Sequence, residues 1–402
     1  MDTDVVIEFN NVTKSFGSQV ILNRINLKIF RGKVTAIIGK SGTGKTVLLK
    51  HMIGLLEPTS GDIFFEGKNM AKLRPEERQR ARSKFSYMFQ NGALFDSINI
   101  YDNVALPLRE TTRLNEKEIR RRVMDKLEKL EITDIVEKYP SEISGGMKKR
   151  VGLARALVVD PEIILIDEPT TGLDPIRRNA VHSMISHMQR KFGFTAVIVS
   201  HDIPDVFYVS QRVAMLDKGE IIADCLPEEI PFVDNSVVKE FIKGVENLKD
   251  ELTGLHTKSQ ITQKFTINRA IPAESFFSVI LFRIDGLDKI NETLGFITGQ
   301  KVLKHLAAFI ESFLRVSCEH SRYSDNQILT ILPNIKKMMA DLLLRKLGEA
   351  LKNYPPLPPE GFQAMSYTIS AGVAESGDMT HIDHVVDETE KTMKVIGRFH
   401  LS

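Results

Sequence analysis

The sequence predicts an α/β protein of two domains, the first built on a parallel sheet with an inserted helical subdomain, the second a smaller α/β unit. Three observations carry this expectation. Strand-length apolar runs alternate with helical patterns through the first part of the chain, the rhythm of a parallel sheet with crossover helices. A charged amphipathic stretch, "NEKEIRRRVMDKLEKLEI", interrupts that rhythm and reads as the helical insertion. A second strand–helix pattern starts after the polar helical stretch "VVKEFIKGVENLKDELT", Val237 to Thr253, and 402 residues exceed one ordinary domain.

Composition narrows the class. Hydrophobic residues make up 42% and charged residues 26%, enough for substantial cores. The net charge of +2 sets up no strong field toward nucleic acid, which is not an expected partner. Cys225 and Cys318 lie far apart, form no metal-ligand spacing and fit buried free thiols in a reducing compartment. The acidic start "MDTDVVIEFN" is unlike a signal peptide, and no run approaches the roughly 18–20 apolar residues of a membrane span. A cytoplasmic location is expected, with any membrane work done through a partner.

Taken in chain order, "KVTAIIG" is a strand leading into "GKSGTGKT", and the helical "KTVLLKHMIGLL" follows. Gly39, Lys40, Ser41, Gly42, Thr43, Gly44, Lys45 and Thr46 satisfy the phosphate-loop pattern in the strand–loop–helix context it requires. Backbone N–H groups wrap the phosphates, Lys45 supplies charge at the terminal ones, Thr46 is a ligand for Mg²⁺, and the helix N-terminus favours the anion. "EIILIDEP" and "AVIVSHD" are buried strands whose polar carboxyl ends, Asp167–Glu168 and His201, lie where a doubly wound sheet gathers its ligand.

Other segments complete a series: Phe16 in "KSFG", Gln90 in "YMFQNGALFD", Ser144, Gly145 and Gly146 in "ISGGMKKR", and Asp174 in "GLD". Together and in this order they resemble the ATP-binding cassette (ABC) ATPases, with Met147 in place of the usual signature glutamine. The resemblance implies that Phe16 stacks on adenine, although a lone phenylalanine is more often core. It implies that Gln90 links metal, water and partner, and that the Ser144–Gly146 signature meets ATP held by a second protomer. Asp167 then anchors Mg²⁺, Glu168 polarises the attacking water and His201 contacts the γ-phosphate, so that catalysis is positioning and charge neutralisation. ATP and Mg²⁺ are the expected cofactors, and a head-to-tail homodimer is the competent form.

With one phosphate loop and no long coiled-coil interruption, the chain is unlike ribosome-acting or DNA-repair cassettes. "FQNGALFDSINIYDNVALPLRE", "PSEISGGMKKRVGLARAL" and "SVVKEFIKG" resemble the Mla/Mce-type ATPases of phospholipid or sterol trafficking across bacterial envelopes. That likeness covers about the first 245 residues and implies a separate integral-membrane permease. Leu94, Phe95 and Ile98 are expected to be exposed at its docking surface, packing inside the helical subdomain being the alternative. The expected domains are 1–248, with the helical subdomain about 91–158 and a tail about 235–248, and then 249–402.

In the second domain, "ELTGLHTK", "FSVILFRIDGLDKINETLGFITGQKVL", "RYSDNQILTILP", "YTISAGVAE" and "KVIGRF" resemble in order the GGDEF (diguanylate cyclase) fold, a mixed and largely antiparallel sheet. The likeness places Arg283 at a metal-binding aspartate, and a guanidinium there repels a cation. Ser324 and Asp325 replace the two glycines of the signature turn, and Asn326 and Gln327 its two acids. Asn291 keeps one guanine-reading position while Gln300 replaces the other. Lys394 and Arg398 keep the spacing of phosphate contacts, although an exposed helix end also accounts for them. "RVSC", Arg315 to Cys318, lacks the acid of the inhibitory motif, and "NYPPLPPEG" reads as a rigid connection. Cyclase activity is therefore not expected. The domain is read as a regulatory or dimer-stabilising module, a docking place for a regulatory protein, fused to a lipid-transport ATPase on the inner face of the cytoplasmic membrane. The competing expectations are a receptor for GTP or a cyclic dinucleotide that controls the ATPase, and a nucleotide-gated interaction protein without a permease.

Overall fold

A computed structural model describes residues 4–89, 93–201, 203–246, 249–269, 277–314, 318–353, 365–376 and 381–401. The chain folds as two compact units, Met1–Lys239 and Glu240–Ser402.

The first unit carries two sheets. Six strands lie in the order Glu220–Cys225, Arg212–Asp217, Val34–Ile38, Thr195–Ser200, Ile163–Asp167 and Phe85–Met88, all parallel except the first. Every residue of Val34–Ile38, Ile163–Asp167 and Thr195–Ser200 is buried, because a parallel sheet is covered on both faces. The second sheet is antiparallel and built on the long pair Val5–Phe16 and Gln19–Phe30. Ile7, Phe9, Ile25 and Ile29 of that pair share one core with Ile37, Leu165, Val197 and with Leu48, Leu49 and Met52 of helix Lys45–Met52. The phosphate-loop helix is thereby fixed by burial of its apolar face.

The expected insertion consists of helices Ile100–Thr111, Glu116–Lys129 and Gly145–Leu157. Each is capped by a side chain accepting an N–H three residues on: Asn99 from Asp102, Asn115 from Glu118, and Ser144 from Met147. The charged stretch in the sequence is the middle helix, whose Ile119, Val123 and Leu127 are buried while Glu118–Arg122 and Asp125–Lys129 pair on its outside.

The second unit holds a five-stranded sheet ordered Glu319–Arg322, Gln327–Pro333, Phe277–Asp285, Met365–Glu375 and Lys394–Leu401. All four pairings are antiparallel, and among the described residues the parallel component is one bridge between His256 and Ser321. Phe277, Val279 and Leu281 of the central strand pack with Ile261, Phe265, Val385 and Val386.

Several local expectations change. In the polar stretch at Val237–Thr253 the described helix spans Ser236–Glu246, and Asp250–Thr253 is a turn. Lys394 and Arg398 lie on an edge strand rather than at a helix end. Cys225 and Cys318 are free as expected but half-buried, and burial pushes the Cys225 thiol up to about 11. No helix among the described residues is long and apolar enough to cross a membrane. Gln90, Arg315–Ser317 and Tyr354–Gly361 of the proline-rich stretch lie outside the described residues.

Candidate active site

The phosphate loop joins strand Val34–Ile38 to helix Lys45–Met52, and its first glycine is demanded by packing. At Gly39 a Cβ would lie 2.2 Å from the carbonyl oxygen of Leu216. Gly44, at φ +102°, sits against Ile21 and Leu22, so the antiparallel pair braces the loop. Lys40, Ser41, Gly42 and Thr46 are exposed, and the Thr43 hydroxyl donates to the Lys40 carbonyl at 3.0 Å. The buried Lys45 ammonium donates to the carbonyls of Gly39 (2.9 Å) and Lys40 (2.8 Å). Burial lowers its pKa, while the carboxylates of Glu168 and Asp167 pull it back up.

Asp167 ends strand Ile163–Asp167 and receives two donors. The Thr46 hydroxyl donates to its Oδ1 at 3.3 Å and the Tyr87 hydroxyl to its Oδ2 at 2.9 Å. Glu168 turns into the left-handed region, φ +46°, where its N–H is held by the Val199 carbonyl at 2.9 Å. Its Oε2 accepts from Thr171 at 3.0 Å, and its Oε1 lies 3.3 Å from His201 Nδ1. Lys45, Thr46, Asp167, Glu168 and His201 thus converge on the carboxyl ends of three adjacent strands.

The remaining site residues spread around this centre. Phe16 is 50% exposed at the end of its strand, with the Lys14 ammonium 5.1 Å from its ring centre, so it is not a core aromatic. Ser144 caps the helix that Gly145 and Gly146 begin, and neither glycine would bring a Cβ within 4 Å of any other group. Asp174 caps helix Pro175–Phe192 by accepting from the Arg177 N–H at 3.1 Å.

Three residues escaped the sequence reading. Tyr87 sits three places before Gln90, a spacing that could have flagged it; burial and the adjacent Asp167 push its pKa up and keep the phenol a donor. Lys149, two residues past Met147, is buried; desolvation lowers its pKa while Glu168 raises it. Asn103 is fully buried and pins the preceding loop, donating to the carbonyls of Phe95, Ile98 and Asn99 and accepting from the Phe95 N–H. That loop borders a groove of about 530 Å³ lined by Tyr87, Phe89, Phe95, Leu106 and Arg155 among others. Of the three expected apolar contacts, Phe95 is exposed while Leu94 and Ile98 are half-buried.

In the second unit Arg283 Nε donates to Asp285 Oδ1 at 2.9 Å, and the other oxygen of Asp285 accepts from Thr368 and Ser370. The turn after Tyr323 satisfies itself: the Ile284 N–H donates to the Asn326 carbonyl at 3.0 Å, the Asn326 side-chain amide donates to the Ile284 carbonyl, and the Ser324 hydroxyl donates to Asn326 Oδ1. None of Ser324, Asp325 and Asn326 takes a positive φ, so the turn needs no glycine. Gln327 donates to Glu390 at 3.0 Å. Asn291 is 3% exposed and Gln300 0%, on helices Leu287–Leu294 and Phe296–Phe313. The Asn291 amide oxygen reaches into the room left by Gly299, whose Cβ would stand 2.0 Å from it. Arg322 forms a buried pair with Asp250 at 3.2 Å.

The ABC transporter family model matches residues 22–171, and the model of the diguanylate cyclase GGDEF domain matches residues 247–398. The chain is 43% identical over 244 residues to the probable ribonucleotide transport ATP-binding protein mkl of Mycobacterium leprae, covering 61% of this chain and 70% of the relative. To the intermembrane phospholipid transport system ATP-binding protein MlaF it is 39% identical over 239 residues in Haemophilus influenzae (60% and 90% covered) and 37% over 240 in Escherichia coli (60% and 89%). The fold is similar to cbiO1 of Clostridium perfringens, part of an ABC transporter complex, at TM-score 0.53 and 31% identity, covering 60% of this chain and 96% of that one. A dimeric ATP-binding cassette in a post-hydrolysis state bound to ADP and Pi is similar at TM-score 0.51 and 30% identity, covering 55% and 98%.

Proposed function

Because the chain belongs to the ABC transporter ATPases, we propose that it hydrolyses ATP to drive lipid movement through a separate integral-membrane permease. The convergence of Lys45, Thr46, Asp167, Glu168 and His201 is the observation that carries this reading. Lys45 leaves its loop carbonyls to meet the terminal phosphates, and Phe16 stacks on the adenine. The Thr46 hydroxyl and the Asp167 carboxylate, 3.3 Å apart, are hard oxygen donors that suit Mg²⁺. When bound, the ion supplies charge neutralisation at the phosphates. Glu168, oriented by Thr171 and its bound backbone, accepts hydrogen bonding from the attacking water, and His201 holds the γ-phosphate side.

The sites are completed by a second copy. Among the described residues no neighbouring group lies within 4 Å of a Cβ built at Gly145 or Gly146, which fits a signature that approaches nucleotide on the partner protomer. The groove at Phe95 suits a permease helix, which supports a position on the inner face of the membrane. The names of the relatives divide between ribonucleotide and phospholipid transport; our lipid assignment rests on the resemblance of the stretch 89–110 to the Mla/Mce-type ATPases. The test is Glu168→Gln, expected to bind ATP, trap the dimer and lose turnover. Normal turnover would overturn the role of Glu168. Phe95→Glu should abolish copurification with the permease while leaving basal hydrolysis intact.

For the second unit we infer a regulatory or dimer-stabilising module without cyclase chemistry. Arg283 neutralises Asp285 where a cation would sit, and Asn291 and Gln300 are enclosed. Deleting residues 249–402 should weaken dimerisation or alter transport. Saturable micromolar binding of GTP or a cyclic dinucleotide in a calorimetric titration would instead favour a nucleotide receptor.

A further inference from the structure

We propose that helix Lys337–Lys352 is a self-pairing surface through which the second units of two copies of this chain join. The inference rests on reading that unit as a dimer-stabilising module. Its inner face is ordinary core: Ala340, Leu344, Leu347 and Leu351 are buried. Its outer face keeps apolar groups in water, with Met338 82% and Leu342 44% exposed. These two are four residues apart and form one row along the helix.

The adjacent row alternates in charge: Lys337, Asp341, Arg345, Glu349. Spaced by four, such groups usually pair along their own helix. Among the described residues none of the four closes an ion pair, and Lys337, Arg345 and Glu349 are exposed and Asp341 half-exposed beside the apolar row. The order plus, minus, plus, minus is self-complementary in one arrangement. An antiparallel copy related by a two-fold axis between Asp341 and Arg345 sets Lys337 opposite Glu349 and Asp341 opposite Arg345, and each pair occurs twice. A parallel copy in register sets like charges together.

Packing of such four-residue rows is the commonest way helices meet in globular proteins, and it would bring Met338 and Leu342 of both copies beneath the charged rows. The four charges of the row sum to zero, so the row by itself sets up no net field, and Lys352, Lys391 and Lys394 line the groove on its other side. A single helix pair is a small interface. Tethered to cassettes that already pair, it acts at the high effective concentration that makes a weak contact count.

The test uses the full chain without nucleotide, measuring the dimer dissociation constant by sedimentation. Asp341→Arg alone and Arg345→Asp alone should each weaken dimerisation on the order of tenfold, because two attractive pairs become repulsive. The double variant D341R/R345D should restore it to within about threefold. Leu342→Cys, beside the axis, should cross-link to its own copy with a short bismaleimide. The double variant guards against misfolding, since a merely damaged helix is not rescued by a second change. If the single reversals leave dimerisation unchanged while deletion of 249–402 weakens it, this helix is the wrong surface and the module stands. If the deletion also changes nothing, both fall.

Discussion

Tyr87→Phe isolates one hydrogen bond at the centre of the cassette. The variant keeps the ring and its contact with Phe89, whose centre lies 4.4 Å away, and removes only the hydroxyl that donates to Asp167 Oδ2 at 2.9 Å. Asp167 is largely shielded from water, so the freed oxygen is not simply rehydrated, and its other oxygen keeps only the 3.3 Å bond from Thr46. A hydrogen bond to a charged acceptor contributes about 1.5–3 kcal/mol. Tyr87 is half-buried, which argues for the lower part of that range, about 1.5–2 kcal/mol. For a unit of this size that corresponds to a fall in melting temperature of roughly 3–8 °C. Partners that orient a metal-binding carboxylate also affect the ion, typically by about 10–100-fold. Differential scanning calorimetry and Mg²⁺ titration of ATP hydrolysis read the two effects. ATP binding without Mg²⁺ should be unchanged, and the Mg²⁺ half-saturation should rise on the order of tenfold. An unchanged melting temperature together with an unchanged Mg²⁺ requirement would refute the claim that Tyr87 positions Asp167.

Two further outcomes follow from buried polar groups. Arg322→Met should destabilise the second unit by about 3–5 kcal/mol in urea unfolding, because it strands the buried Asp250 carboxylate, and adding Asp250→Asn should recover part of the loss. Burial lowers the pKa values of His51 and His320. The unfolded chain therefore takes up their protons first, near the ordinary value of about 6.5, so stability is complete above that pH and falls on acidification toward the folded pKa values. Calorimetry between pH 7.5 and 5 should show that decline, shallower in His320→Gln.

The cassette was legible where a motif fixes both residue type and backbone. "GKSGTGKT" between a strand and a helix, and Asp174–Pro175 opening a helix that stops at Gly193 with φ +70°, are local signals that tertiary structure had no reason to override. Residues whose role comes from meeting something distant in sequence were not legible. Tyr87 reaches Asp167 across 80 positions, and Asn103 matters because its amide is enclosed by backbone carbonyls. Sequence left open whether Leu94 and Ile98 face a partner or their own subdomain, and both are half-buried, since an apolar loop residue looks alike in either setting. In the second unit the losses at Arg283 and Ser324–Gln327 could be read directly. That Arg283 would seize Asp285, and that the turn would close without glycine, needed the strand pairing of Arg283 with Gln327 to be seen.

The Arg283–Asp285 pair also gives the second unit a built-in counterion. A fold that must borrow a divalent cation to quiet an acidic corner changes with the cell's supply of that ion and of the phosphates that carry it. Here the positive charge is covalently part of the chain and always present. Chelators and swings in free Mg²⁺ should leave this unit's stability untouched while they act on the cassette beside it in sequence. The two units of one chain would then differ in kind, one answering to the divalent cation and the other indifferent to it.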